Sequence, residues 1–403
     1  MLVSFLLGIF SIVGVVALFS LGVITFDTDG RFPERRVMSE SELLTKRTAD
    51  LNQAILNKQK SSKALVDRMY QRQLVDPDCT MDFLILSGGG ENGAFGAGFL
   101  VGWSTLSSGD HTLPEFDGVT GVSAGAFIAP FAYLGTREKL LEIDHFFQNP
   151  GKDWLELRGS FYFLPENMSL GEIPGLERDL QEVMTMSFAK EIVEATTPGR
   201  ILVIQASNLD EAFPHVFDFS AIARNSVATG NVGEMTEVLL ASSAIPGMFP
   251  PREIDGFLYV DGGVEGNFYA GGKPTNPEFT FGGLWKKEHP DLPIPKTRYW
   301  IILNGNLRET PKTSSPEWAE IALRSLAVSV GSSEVVALRE LYALAELTGL
   351  RGHGEVEVRW VAIEESLPES SFPTLFEKVQ MRALSELGRR KGADSSSWNT
   401  EAP

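Results

Sequence analysis

Two stretches, 81–101 and 116–133, follow one local plan: a short apolar run, a cluster of glycines, then a helix of small and apolar residues. Met81-Asp82-Phe83-Leu84-Ile85-Leu86 leads into Gly88-Gly89-Gly90-Glu91-Asn92-Gly93, and 116–120 leads into Gly121-Val122-Ser123-Ala124-Gly125. A strand that is apolar on both sides must be covered on both faces, which a parallel sheet wrapped by helices achieves. Further buried-strand patterns occur at 201–205, 257–260, 299–303 and 356–363, with helical patterns at 173–195, 232–242, 318–347 and 375–391. The sequence therefore predicts an α/β fold with a mainly parallel central sheet over 81–391. The 43% hydrophobic content of the 403 residues is enough for such a core. No internal repeat is visible, and the polar tail 392–403 is expected to be disordered.

The glycine clusters carry the chemistry. Gly88 to Gly93 fits G-x-G-x-x-G, which on its own could cradle a dinucleotide with Asp110 as a loosely placed ribose partner. Its physical content is broader, because glycines let backbone N–H groups approach any negative centre at a helix N-terminus. Gly121-Val122-Ser123-Ala124-Gly125 is a G-x-S-x-G motif at a strand-to-helix junction, the setting of a nucleophile elbow. A serine nucleophile needs a base. Asp261-Gly262-Gly263 follows the strand at 257–260, and strand ends gathered on one edge of a parallel sheet would bring Asp261 to Ser123.

At these residues the sequence resembles the patatin-like phospholipases. The resemblance rests on Leu86-Ser87-Gly88-Gly89-Gly90-x-x-Gly93, Gly121-x-Ser123-x-Gly125 and Asp261-Gly262-Gly263. It extends to Ala241-Ser242-Ser243-Ala244-Ile245-Pro246-Gly247 with Phe249-Pro250-Pro251, and to Asn267. It implies a three-layer patatin-like fold and a Ser123–Asp261 dyad without histidine. The backbone of Gly88, Gly89 and Gly90 would form the oxyanion hole, and Gly93, Gly121, Gly125, Gly262 and Gly263 would support the motifs. The implied reaction is hydrolysis of carboxylic esters of glycerolipids through an acyl-Ser123 intermediate, as in phospholipase A or lysophospholipase, with no metal or cofactor. One position departs from the family: the usual Arg or Lys before the last glycine of the first motif is Asn92. That departure leaves ester hydrolysis intact and makes a neutral-lipid esterase an alternative to a phospholipase. A catalytically silent lipid-binding or scaffolding relative is a further alternative.

Outside this region, residues 1–26 carry no charged side chain. As a helix they would span about 39 Å, against a hydrocarbon core of about 30 Å. Without a basic n-region or a small-x-small exit, the run predicts a retained transmembrane anchor rather than a cleaved signal. Residues 27–80 read as a basic helical stem, N-capped near Ser39, with ten bases against five acids over 31–75. Those bases could solvate the stem or meet lipid headgroups. By the positive-inside rule they lean toward a cytoplasmic catalytic domain, while interleaved acids and the alternative of an uncleaved secretory signal leave the membrane side open. The net charge of −18 argues against a nucleic-acid partner. It does not argue against a membrane, since an uncharged anchor and a basic stem can hold an acidic domain there.

The remaining features are weaker. Lone Cys79 excludes an internal disulfide framework. An α/β-hydrolase triad would recruit His289 or His353 after Asp261, but its elbow normally follows several strands. All five histidines (His111, His145, His215, His289, His353) read as surface or loop residues. Trp154, Phe161, Tyr162 and Phe163 suit core packing or an acyl-channel wall, and Asn167-Met168-Ser169 fits a glycosylation sequon.

Overall fold

The computed structural model describes residues 35, 37–159, 167–271, 280–307, 311, 313–365 and 375–403. The anchor at 1–26 and the aromatic residues Phe161, Tyr162 and Phe163 lie outside them. Among the described residues no helix is long and apolar enough to cross a membrane.

Five strands form the parallel body of the sheet. They are β1 (Met81–Leu86), β2 (Gly118–Val122), β5 (Ile201–Asn208), β9 (Thr297–Ile302) and β10 (Val356–Val361), in spatial order β10-β9-β1-β2-β5. A small two-stranded pair, β3 (Glu156–Leu157) and β4 (Gly171–Glu172), stands apart. Three antiparallel strands complete the main sheet: β6 (Phe213–Asp218), β7 (Arg252–Ile254) and β8 (Phe257–Asp261). Side-chain alternation divides the core between the faces. Leu84, Leu86, Trp300 and Ile302 point into one apolar cluster, while Ile85, Ile301, Leu303 and Val358 point into another beneath Leu338 and Leu341. The first face is covered by α2 (Gly93–Trp103), α3 (Ala124–Leu134), α4 (Arg137–Gln148) and α11 (Lys378–Gly392). The second is covered by the helix Trp318–Leu350.

Strand β5 sets up the site. Its residues 203–205 pair with β2 on one edge and β6 on the other; residues 206–208 keep β6 and exchange β2 for β8. So β2 and β8 occupy the same edge of β5 end to end, and they run toward each other. Val122 closes β2 opposite Gln205, and Asp261 closes β8 opposite Ala206. The expectation that a parallel sheet edge would gather both residues is corrected here: β8 is antiparallel, and a head-on meeting of two strand ends brings Ser123 and Asp261 together.

Three further expectations change. The stem is one helix, α1 (Glu40–Gln73), opened by a capping box between Ser39 and Glu42 as its sequence suggested. Its C-terminal part is not free-standing: Leu65, Val66 and Met69 are buried with Cys79, Met81 and Trp285. Six of its bases are engaged by the rest of the chain. Arg35 pairs with Asp210, Lys63 with Glu288, and Arg68 and Arg72 with Asp117, while Lys46 and Arg47 lie over the rings of Phe257 and Phe213. The acidic domain itself attracts these charges.

The tail at 392–403 is ordered, because Trp398 is buried against Phe99, Trp103 and Trp300 and Asn399 bridges to Trp360. Helix 173–195 is two helices, α5 (Pro174–Val183) and α6 (Met186–Ala195), because Thr185 accepts from Phe188 N–H and caps the second.

Candidate active site

Ser123 sits between β2 and α3 with φ 52° and ψ −123°. A non-glycine residue held there costs about 1–3 kcal/mol, so the surroundings must enforce it. One enforcing contact is steric. A Cβ on Gly125 would lie 2.4 Å from the Leu86 carbonyl oxygen, so only glycine lets the elbow close onto β1. Gly121 backs onto the same glycine, its added Cβ meeting the Gly125 carbonyl at 2.4 Å. The turn places Ser123 at the N-terminus of α3, where the helix dipole favours negative charge.

The Asp261 carboxylate accepts the Gly263 N–H at 2.7 Å, and the Ser123 hydroxyl lies close enough to favour its charged form. Among the described residues no Lys or Arg pairs with it. Burial pushes its pKa up to about 6, against the downward pull of the neighbouring Ser123 hydroxyl and the Gly263 N–H. A carboxylate with that pKa is largely ionised at neutral pH yet basic enough to take a hydroxyl proton in a transition state. Its backbone is fixed as well: Asp261 N–H donates to Ala244 C=O at 2.9 Å, and the Ser207 hydroxyl donates to Asp261 C=O at 3.0 Å. The Ala244 carbonyl thus supports the Asp261 backbone from behind.

The first glycine loop faces the same point. A Cβ on Gly88 would lie 3.0 Å from Ser123 Cβ, so this residue is against the nucleophile. Its amide is spent, however: Gly88 N–H donates to Asn267 C=O at 3.0 Å. Gly88 is therefore removed from the set of oxyanion donors and contributes space instead. Among the described residues no acceptor is recorded for the Gly89 and Gly90 amides, and Gly90 has φ 57° with nothing within 4 Å of its Cβ position.

The loop is braced from both sides. Asn304 donates from its backbone to Ser87 Oγ at 2.9 Å and from Nδ2 to Ser87 C=O at 2.7 Å. Asn267 donates to Glu334 Oε1 at 2.5 Å, and Glu91 Oε2 accepts Phe376 N–H at 2.8 Å. Gly93 opens α2 against Phe147 and Ala124, and Gly262 lies on the Gln205 carbonyl. Asn92 precedes α2 without capping it.

Gln205, Glu334 and Asn304 carry no motif that sequence reading could isolate, although a glutamine inside an otherwise apolar strand was a visible signal; Ser87 lay in the first motif but was given no role. Among the described residues no histidine bonds to Ser123 or Asp261. His289 stacks on Tyr70, and His353 lies 3.3 Å from Thr280 Oγ1. His145 is exposed on α4, as expected of a surface residue, whereas the surface-or-loop expectation is corrected for His215, which lies in β6 and whose burial lowers its pKa. A cavity of about 450 Å³ between the start of α1 and the β7–β8 turn, lined by Met38, Thr45, Lys46, Glu253 and Gly256, holds none of these residues.

The family model for patatin-like phospholipase matches residues 84–272, which take in the glycine loop, the elbow and the aspartate turn. Residues 84–272 form a patatin-like phospholipase domain. As such it has an α/β fold with a mainly parallel central sheet, and the family is one of lipid acyl hydrolases. Of solved structures, VipD from Legionella pneumophila is similar at 12% identity, covering 80% of this chain and 68% of that chain with a TM-score of 0.31. Overlap that loose places no residue of the patatin-like domain. No curated protein matches the chain.

Proposed function

We propose that this chain is a serine-dependent lipid acyl hydrolase in which Ser123 is the nucleophile and Asp261 its base. The observation that supports this reading is the head-on meeting of β2 and β8, which brings Ser123 to a buried carboxylate with no Lys or Arg partner among the described residues. Ser123 Oγ attacks the ester carbonyl carbon while its proton passes to Asp261. The amides of Gly89 and Gly90, with the N-termini of α2 and α3 behind the site, stabilise the oxyanion; losing such a donor elsewhere costs about 3–4 kcal/mol. Collapse expels the alcohol, which takes the proton from Asp261. Water then attacks the acyl-Ser123 ester, gives its proton to Asp261, and the fatty acid leaves with Ser123 reprotonated.

The substrate proposed is a glycerolipid ester, with phospholipids and neutral lipids both open to a site that has Asn92 where the family carries a cation. Residues 1–26 are proposed as the membrane tether and the cytoplasm as the compartment. The deciding experiment compares wild type, Ser123→Ala and Asp261→Ala on a short-chain chromogenic ester, then on phospholipid and neutral-lipid panels. Both variants are expected to lose hydrolysis. Full activity in Ser123→Ala overturns the mechanism. Loss in His353→Ala with full activity in Asp261→Ala would establish a histidine triad instead.

A further inference from the structure

We propose that Ser242 and Gln205 are positioning residues that hold the nucleophile elbow and the base loop in one register. The proposal rests on the reading of Ser123 as nucleophile and adds residues that no motif assigned a role.

Ser242 is the last residue of the helix Gly233–Ser242 and is fully buried. Its Oγ accepts the Ser123 N–H at 2.9 Å, and its hydroxyl donates to the Gln205 C=O at 2.6 Å. Gln205 lies opposite Val122, and its neighbour Ala206 lies opposite Asp261, so Gln205 stands where the ends of β2 and β8 abut. Its side chain completes the link, donating from Nε2 to Gly266 C=O at 2.9 Å and to Gly262 C=O at 3.2 Å. A continuous path therefore runs from the nucleophile's own amide, through one hydroxyl and one glutamine, to the loop that carries the base. Its centre is shielded from water: Ser123, Ser242, Gln205 and Asp261 are each buried.

Two consequences follow from this path. The strained φ of Ser123 is pinned at its own N–H, the group whose direction that angle sets. That N–H is also fully used, which leaves oxyanion binding to the glycine loop and to residues after the nucleophile. Neither Ser242 nor Gln205 reaches substrate on this reading. Their effect is on the distance and angle between Ser123 Oγ and Asp261, which rate depends on steeply.

The neighbouring Ser243 supplies a matched control. It is also buried, but its hydroxyl bonds back to the Leu239 and Leu240 carbonyls at 3.0 and 3.3 Å, within its own helix. The test measures full-chain Ser242→Ala, Ser243→Ala and Gln205→Met on a short-chain ester, with reactive serines counted by a fluorophosphonate probe. In Ser242→Ala and Gln205→Met, kcat per labelled serine should fall by about tenfold or more with KM little changed. The pH midpoint should stay near 6, because neither side chain contacts the Asp261 carboxylate. Ser243→Ala should keep the wild-type kcat. Equal losses in the two serine variants, or unchanged kcat in Ser242→Ala, overturn the proposal. Should Ser242→Ala fail to fold, Gln205→Met decides alone. Activity surviving in Ser123→Ala overturns the nucleophile assignment itself, a result separable from any behaviour of Ser242.

Discussion

Strand β2 has a buried carboxylate at each end, and the two are treated in opposite ways. Asp117, just before β2, is wholly buried and accepts from Arg68 Nε at 2.9 Å, Arg72 at 2.9 Å and the Asp82 N–H at 3.0 Å. Asp261, where β8 meets the far end of β2, accepts one amide beside the Ser123 hydroxyl and has, among the described residues, no cation. Two guanidiniums make the first a rivet that fastens α1 to the sheet. On the proposed mechanism, their absence leaves the second free to act as a base. Burial is common to both, so the reactive difference comes from what the surrounding elements bring as partners.

Converting Asp261 to Asn removes the base with little change in shape. Hydrolysis should fall about 10²- to 10⁴-fold, the usual worth of a general base, as read from kcat/KM on a short-chain ester. In the wild type, kcat/KM should rise with pH through a midpoint near 6 and then level off. A midpoint near 4 would show that burial does not tune this group.

Asp117→Asn tests the other end. It strands Arg68 and Arg72 beside a neutral partner, and the cost should be about 3 kcal/mol or more in denaturant unfolding. Activity per folded molecule should be retained. A large catalytic loss at full stability would erase the distinction between the two sites.

Asp261→Asn should also stabilise the fold, and in a pH window that can be stated. The wild-type carboxyl titrates near 3.8 when unfolded and near 6 when folded, so the folded state alone resists ionisation between those values. Wild-type stability therefore declines relative to the variant as pH rises from about 4 to 6, and the gap reaches up to about 3 kcal/mol above it. Below pH 4 the gap should close. Thermal melts of both proteins at pH 4 and pH 7.5 measure this. A smaller effect is expected from Lys63→Ala, which breaks an exposed pair with Glu288 and should leave the melting temperature almost unmoved.

Much of the site was legible before any coordinates. Ser123, Asp261 and the glycine loop were readable because local chemistry demands them: a turn that only Gly125 can close, and a hydroxyl and a carboxylate at strand ends. The strands at 81–86 and 356–361 were visible as apolar runs. Direction was not, since an apolar run reads the same whether its strand is parallel or antiparallel, and so the route by which Asp261 reaches Ser123 was misread. Gly88 looked like an oxyanion donor until the Asn267 carbonyl, 179 residues away, claimed its amide. The stem's bases read as solvated or lipid-facing because their partners, among them Asp117, Asp210 and Glu288, lie far along the chain. The tail suggested disorder because one Trp398 among Ser, Asp and Asn gives no periodic signal.

The sequence by itself determined which groups could react and which turns could hold them, since those are properties of single residues and their near neighbours. Tertiary structure decided the rest: which carboxylate is left without a cation, which amides are free, and which hydroxyl pins the nucleophile. Each depends on what distant segments bring to a buried place, where an unmatched charge or N–H is expensive enough to set function.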